Sequence, residues 1–303
     1  MAETDQRRPD VTGSAADSER VVLQPRDVAF DWTNLPIHYL PGEPFVTHFC
    51  NVMHMLLPAG EEFIVHIFKQ ALPFIRDDEL RLDVQGFIAQ EAMHSQAHAS
   101  AADRLRAQGM SIEPYTEQVR WLFHTLLADR PQWSRRRQHA WLLDRVALVA
   151  AIEHYTAILG EWILDTPELD ALGGDPVMLD LLRWHGAEEV EHKAVAFDVM
   201  QHLGAGYWRR VRTQLMVTSL MPWLWLRGIR FMFSVDPEFP AGTKPRWRDW
   251  LSGARRGLMP APASLIRVIC AYYRTNFHPS ELGGVERAVN YLAISPAARR
   301  AAH

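Results

Sequence analysis

Beyond Phe45, apolar residues recur at three- and four-residue spacing through most of the chain, a period that predicts helices. Helices are expected over residues 45–57, 61–72, about 78–108, 112–128, 134–164 and 175–203, with a break or kink at Pro58 and Gly60. Gly109 provides a stop, Ser134 a cap, and Asp175 a start with Pro176 in the first turn. No run of period-two alternation is sustained and no segment repeats in tandem, so the predicted fold class is all-α.

The flanks read differently. Residues 1–20 mix charge with Gly, Ser and Ala and hold no apolar run, so a disordered tail is expected. Residues 21–44 carry Pro25, Pro36, Pro41 and Pro44 and should cross the surface in an extended form. Residues 45–204 are expected to form a bundle core, and 205–303 a C-terminal helical extension packed on it, ending in three short helices over 245–303. Residues 213–226 are uncharged but short for a membrane span, with Arg227 and Arg230 close behind. Two readings stay open for them: a buried or homodimer-facing helix, or a peripheral membrane contact supported by Arg209, Arg210 and Arg212.

Composition narrows the class. The 303 residues are 48% hydrophobic and 22% charged, enough for a large core and unlike a disordered or disulfide-rich chain. Cys50 and Cys270 lie far apart, so no disulfide framework or cysteine-built zinc site is available, and a cytoplasmic setting is expected. A net charge of −4 gives no footprint for nucleic acid. The 14 histidines form no tract; they sit singly in apolar, helix-like surroundings.

Two predicted helices each hold a Glu-x-x-His step, Glu91-Ala-Met-His94 and Glu189-Val-Glu-His192. Residues three apart share a helix face, so each pair can offer a metal one oxygen and one nitrogen. The short step alone arises by chance about once in a chain of this composition. Its context is more specific, because a separate helix carrying a glutamate in an apolar setting precedes each pair. Glu61 or Glu62 precedes the first, and spacing does not decide between them; Glu153, behind the apolar run 146–152, precedes the second. The order Glu, Glu-x-x-His, Glu, Glu-x-x-His over four helices is the ligand plan of ferritin-like dimetal bundles. Four carboxylates cancel the charge of two divalent cations and can bridge them, and histidine suits iron or manganese better than calcium or magnesium. Without metal, the same carboxylates would repel one another in a dry core.

His185 stands four residues before Glu189 and seven before His192, on one face, and is expected to join the ligands. His98, four residues after His94, could also reach the centre; it reads as a neighbour of the ligands or as a plain surface or core histidine. His154 projects about 100° away from Glu153 and is set aside. Glu188 and Glu191 lie off the ligand face and read as a solvated stripe or salt-bridge partners. Asp83, Asp144 and Asp198 are candidates for holding the imidazoles in place.

These segments resemble a bacterial family labelled predicted metal-dependent hydrolase, whose members look ferritin-like. The resemblance runs from about Phe30 to Pro279. It is carried by Leu-Pro-Ala-Gly-Glu-Glu-Phe, Gly-Phe-Ile-Ala-Gln-Glu-Ala-Met-His, Ala-Ile-Glu-His-Tyr, His-Gly-Ala-Glu-Glu-Val-Glu-His-Lys and the late Phe277-His278-Pro279. In the family pattern the glutamate after Gly60 recurs, which selects Glu61. The step from His185 through Glu189 to His192 is also similar to the last ligand helix of dimetal arylamine N-oxygenases, which use three histidines and four carboxylates. The implied set is Glu61, Glu91, His94, Glu153, His185, Glu189 and His192, around two iron ions or, alternatively, manganese.

Three functions follow. The leading expectation is an oxidase or oxygenase that activates dioxygen at two irons and oxidises a hydrophobic small molecule. It would draw electrons from an external donor, since no flavin, nicotinamide or iron–sulfur motif is present. The alternative is the hydrolase of the family label, acting on an ester or phosphoryl compound. The third is a non-enzymatic metal protein such as an iron store.

Overall fold

A computed structural model describes residues 22–302, so the expected tail over residues 1–20 lies outside the described residues. The described residues form helices and connecting loops and include no strand. Four long helices make the bundle: α1 (Pro44–Ala71), α2 (Asp78–Ala107), α4 (Arg135–Leu164) and α6 (Pro176–His192), with α3 (Glu113–Trp121) and the short α5 (Glu168–Ala171) between them. Then come α7 (Val195–His202), α8 (Tyr207–Val235), α9 (Trp247–Arg255), α10 (Pro262–Ala271), α11 (Val285–Ile294) and α12 (Pro296–Ala301).

Local chemistry sets the ends of the bundle helices. The Asp77 side chain accepts from the Leu80 amide to start α2, and Asp175 accepts from the amides of Val177 and Met178 ahead of Pro176 to start α6. Gly109, at φ 90°, turns the chain after α2. α1 pairs with α2 through a short connection, and α4 packs on α6. The second pair crosses at two glycines. A Cβ on Gly160 would lie 2.4 Å from the Gly186 carbonyl oxygen, and one on Gly186 would lie 2.9 Å from the Gly160 Cα. Only residues without side chains allow this approach, which sets the α4–α6 spacing on which Glu153 and Glu189 depend.

Three expectations need correction. Pro58 does not divide the first helix, because α1 runs unbroken from Pro44 to Ala71. On either side of Pro58 the helix meets α2, at His54 with His98 and at Phe68 with Phe87, and that packing offsets the one backbone bond a proline removes. The 175–203 helix is interrupted at Lys193 and Ala194, directly after His192. There the buried Lys193 ammonium turns away to donate to the Leu282 and Gly283 carbonyls. The 245–303 region holds α9 to α12 and not three short helices.

Residues 213–226 belong to the longer α8, which packs on α1 and α4. Thr213, Val217, Leu224 and Trp225 are buried, while Leu215, Met216, Trp223 and Leu226 face out. Among the described residues, α4 is long and apolar enough to cross a membrane, but 67% of its apolar window is buried inside the protein, as in a core helix.

Residues 22–43 carry no helix and lie across the bundle. Leu23 fits against Gly86, where a Cβ would come within 2.6 Å, and Leu35, Tyr39 and Leu40 are buried. The last helices dock through Asp180 of α6, which accepts from the Tyr291 and Ser295 hydroxyls and the Ala297 amide.

Candidate metal centre

α1, α2, α4 and α6 turn Glu61, Glu91, His94, Glu153, His185, Glu189 and His192 into the bundle interior, and each is buried. Glu62, the neighbour of Glu61, is exposed and lies 3.4 Å from His124. Two groups have potential ligand atoms within 4.8 Å of one another: Glu61, His94, His185 and Glu189, and Glu91, His94, Glu189 and His192. Glu189 and His94 belong to both.

Glu189 Oε1 is the hub, 2.8 Å from His185 Nε2, 3.6 Å from His94 Nδ1 and 4.0 Å from His192 Nε2. Glu61 Oε1 stands 3.5 Å from His185 Nε2, and Glu91 Oε1 stands 3.3 Å from His192 Nε2. Glu153 reaches His192 from the other side, 3.2 Å from Nδ1, and belongs to neither group. It can therefore serve as a ligand or as the carboxylate that fixes the ring.

Both carboxylate oxygens of Glu61, Glu91 and Glu153, one of Glu189, Nδ1 of His94 and both ring nitrogens of His192 are buried without a hydrogen-bond partner. Buried polar atoms are rarely left unpaired, and a bound ion is one explanation for those that are. Most of them face one small volume, with His192 Nδ1 turned toward Glu153, and all belong to metal-ligating residue types. The donor set fits two divalent cations.

Burial pushes the carboxyls of Glu61, Glu91 and Glu153 well above the usual range, and neighbouring carboxylates add to the rise. Burial acts on Glu189 in the same direction, but the surrounding His192, His185 and His94 hold it well below the usual range. Burial also disfavours charge on His94, yet Glu188 and Glu189 raise it to about 10. Without cations the centre thus keeps protons that cations would displace.

A further layer surrounds these groups. Glu188 is fully buried and accepts from the Trp184 indole at 3.1 Å and the Arg26 guanidinium at 2.6 Å, with His94 Nε2 2.9 Å away. Of the two readings of Glu188 and Glu191, the salt-bridge partner holds, through Arg26, while the solvated stripe fails because α6 is enclosed on nearly every side. Arg26 also reaches Glu191 at 3.0 Å. His98 does not touch the carboxylates. Its Nε2 lies 2.9 Å from His185 Nδ1, and its Nδ1 lies 2.8 Å from His54 Nδ1. Asp144 and Asp198 act elsewhere, with Arg209 and His278 respectively. His154 bonds the Val268 carbonyl, away from the centre.

Arg26 and His54 were missed from the sequence, and so was the contact of Glu188 with His94. His54 stands seven residues before Glu61, a spacing that marks a shared face. Arg26 arrives from a non-helical segment and had no such signal.

A cavity of about 60 Å³ opens on Glu61, Glu91, Glu153, His185 and Glu189. Its other walls are mostly apolar, among them Met53, Leu56, Phe123, Trp162, Met221 and Trp225.

A family model described as predicted metal-dependent hydrolase matches residues 24–283. No curated protein and no solved structure matches the chain.

Proposed function

The chain belongs to the family of predicted metal-dependent hydrolases, and from that membership we propose that it cleaves a hydrophobic ester or phosphoryl compound with two metal ions held in the bundle. One observation carries the reading: two carboxylate–imidazole groups share Glu189 and His94 and border an apolar cavity. The proposed ligands are Glu61, Glu91, His94, Glu153, His185, Glu189 and His192. Bound divalent ions supply Lewis acidity and lower the pKa of water.

The chain's own residues do the positioning. Glu188 accepts the Nε2 proton of His94, which leaves Nδ1 as the ligating atom. His185 donates its Nδ1 proton to His98 Nε2, which leaves its Nε2 lone pair toward Glu61 and Glu189. His98 passes the same polarity on through its own Nδ1 to His54. Met53, Leu56 and Trp225 give the substrate's apolar part a dry wall, so specificity should favour greasy chains over charged ones.

A second reading is favoured by the donor set. Four buried carboxylates with three imidazoles suit iron, and a dry apolar cavity suits oxidation of a hydrophobic molecule by dioxygen with electrons from an external donor. One experiment separates the two. The protein is loaded in parallel with iron, manganese or zinc, the bound metal is counted, and each form is offered nitrophenyl esters and phosphoesters of increasing chain length. Metal-dependent cleavage that improves with chain length supports hydrolysis. No cleavage, together with oxygen uptake by the anaerobically reduced iron form, replaces it with the oxidative reading.

A further inference from the structure

We propose that His38, His48 and Asp236 form a second metal site, for a single zinc ion, distinct from the bundle centre. The three come from distant parts of the chain: His38 from the N-terminal segment, His48 from α1, and Asp236 from the residue that ends α8. His48 precedes Glu61 by thirteen residues on the same helix, a separation of roughly 20 Å at 1.5 Å per residue. The site is independent of the reaction at the bundle centre.

Both imidazoles aim the same atom at the same oxygen. His38 Nε2 lies 2.6 Å and His48 Nε2 lies 2.8 Å from Asp236 Oδ2. The other carboxylate oxygen is engaged, since Oδ1 accepts from the Glu238 amide at 2.8 Å. The side chains of His48 and Asp236 are wholly buried, and that of His38 is 18% exposed. Three donor atoms of zinc-binding type therefore converge on one point, with His38 toward solvent, where water can fill a fourth position.

The far nitrogens carry the argument further. A metal-bound imidazole typically donates its other N–H to a carboxylate or carbonyl oxygen. His38 Nδ1 lies 3.1 Å from Glu238 Oε2. His48 Nδ1 lies 3.2 Å from the Asn51 amide nitrogen, while Asn51 Oδ1 is buried with no partner. Turning that amide over, which leaves its shape unchanged, sets Oδ1 against Nδ1 and gives the orphaned oxygen a donor. With zinc bound, each ring would carry its proton on Nδ1 and offer its Nε2 lone pair to the ion; without it, each Nε2 donates to Asp236 Oδ2. Phe239 beside His38 and Phe233 beside His48, at 5.1 and 5.2 Å, help hold the ring planes. Two imidazoles and one carboxylate favour zinc over calcium or magnesium.

The test uses the full chain, stripped with a chelator, equilibrated with zinc and desalted. His38→Gln keeps an amide donor for Asp236 but removes the imidazole, so a pure hydrogen-bond clamp survives it. Wild type should retain one zinc per chain more than His38→Gln, with equal thermal midpoints in chelator. The same deficit of one ion should appear in a Glu91→Ala background that weakens the bundle centre. Cobalt substitution should show a tetrahedral visible band that His38→Gln lacks. Equal zinc content and overlaid cobalt spectra in wild type and His38→Gln would overturn the proposal.

Discussion

In the bundle centre both carboxylate oxygens of Glu61, Glu91 and Glu153 are buried without a donor, whereas near the start of α1 each oxygen of Asp236 has one. Both places bring carboxylates and imidazoles together, but the hydrogen-bond pairing is opposite. Unpaired buried acceptors destabilise a fold until something neutralises them, while a satisfied carboxylate does not. If cations bind there as proposed, the centre depends on them for its stability, whereas the His38 cluster persists with or without one. Chelation should strike the first region and spare the second.

The hardest blow to the centre is Glu189→Ala. Because Glu189 is common to both groups, its loss should empty both metal positions and reduce turnover to background. Metal analysis of the purified variant checks this. Two ions still bound per chain would show that the groups do not share the residue as described. His38→Gln should leave those two ions and the turnover in place.

Acidity should separate the two regions next. Glu61, Glu91 and Glu153 have raised values, and His94 is raised to about 10, so the metal-free centre holds protons that cations must displace. Each proton released makes metal affinity rise about tenfold per pH unit. The sign for the metal-free fold follows from the same shifts. A group with a raised folded value adds stability that is present below its ordinary value and lost as pH rises through the raised one. His54 and His192, lowered to about 3 and about 4, act the other way, but only below the ordinary imidazole range. From about pH 7 to 9, then, the thermal midpoint of the metal-free protein should fall while that of the loaded protein holds. Parallel midpoints for the two forms over that range would contradict the account.

The scaffold offers a milder route to the same contrast. Gly160→Ala drives a Cβ into the Gly186 carbonyl, and neither backbone can yield without separating α4 from α6. Overpacking of this kind costs about 1–3 kcal/mol and would widen the gap between Glu153 and Glu189. Denaturant unfolding should show the loss, with metal affinity at the centre falling alongside it. Zinc binding at His38, His48 and Asp236 should be unchanged, since neither glycine touches that cluster.

What the sequence made legible was whatever depends on helical period. The two Glu-x-x-His steps, the position of His185 four residues before Glu189, and the length of α2 follow from one turn every 3.6 residues. Choosing Glu61 over Glu62 needed the family resemblance, because adjacent residues on a helix differ only in which side meets the core. For Glu188 the salt-bridge reading held and the wet-face reading did not: a wet face belongs to surface helices, and α6 is enclosed. The His38 cluster was out of reach altogether. Its members are 10 and 188 residues apart and meet only through the packing of the N-terminal segment and α8 on α1.

Glu188→Gln gives the smallest and most diagnostic change at the centre. The substitution preserves shape and leaves every proposed ligand in place, but it removes the charge that His94, Trp184 and Arg26 all address. Outer partners of metal-bound imidazoles are typically worth 10–100-fold in metal affinity, so a loss of about that size is expected here. An amide can still accept through its oxygen, which places this variant toward the lower end and Glu188→Ala toward the upper end. If Glu188 contributed only bulk, Glu188→Gln would show no loss and Glu188→Ala alone would lose affinity, and neither variant would lose affinity if His94 met its cation through Nε2 and not Nδ1. A competition titration against a chelator of known affinity, run on wild type and both variants, decides between these outcomes. It also indicates how far the buried charge at Glu188, anchored by Arg26 from the N-terminal segment, tunes the centre from outside the ligand set.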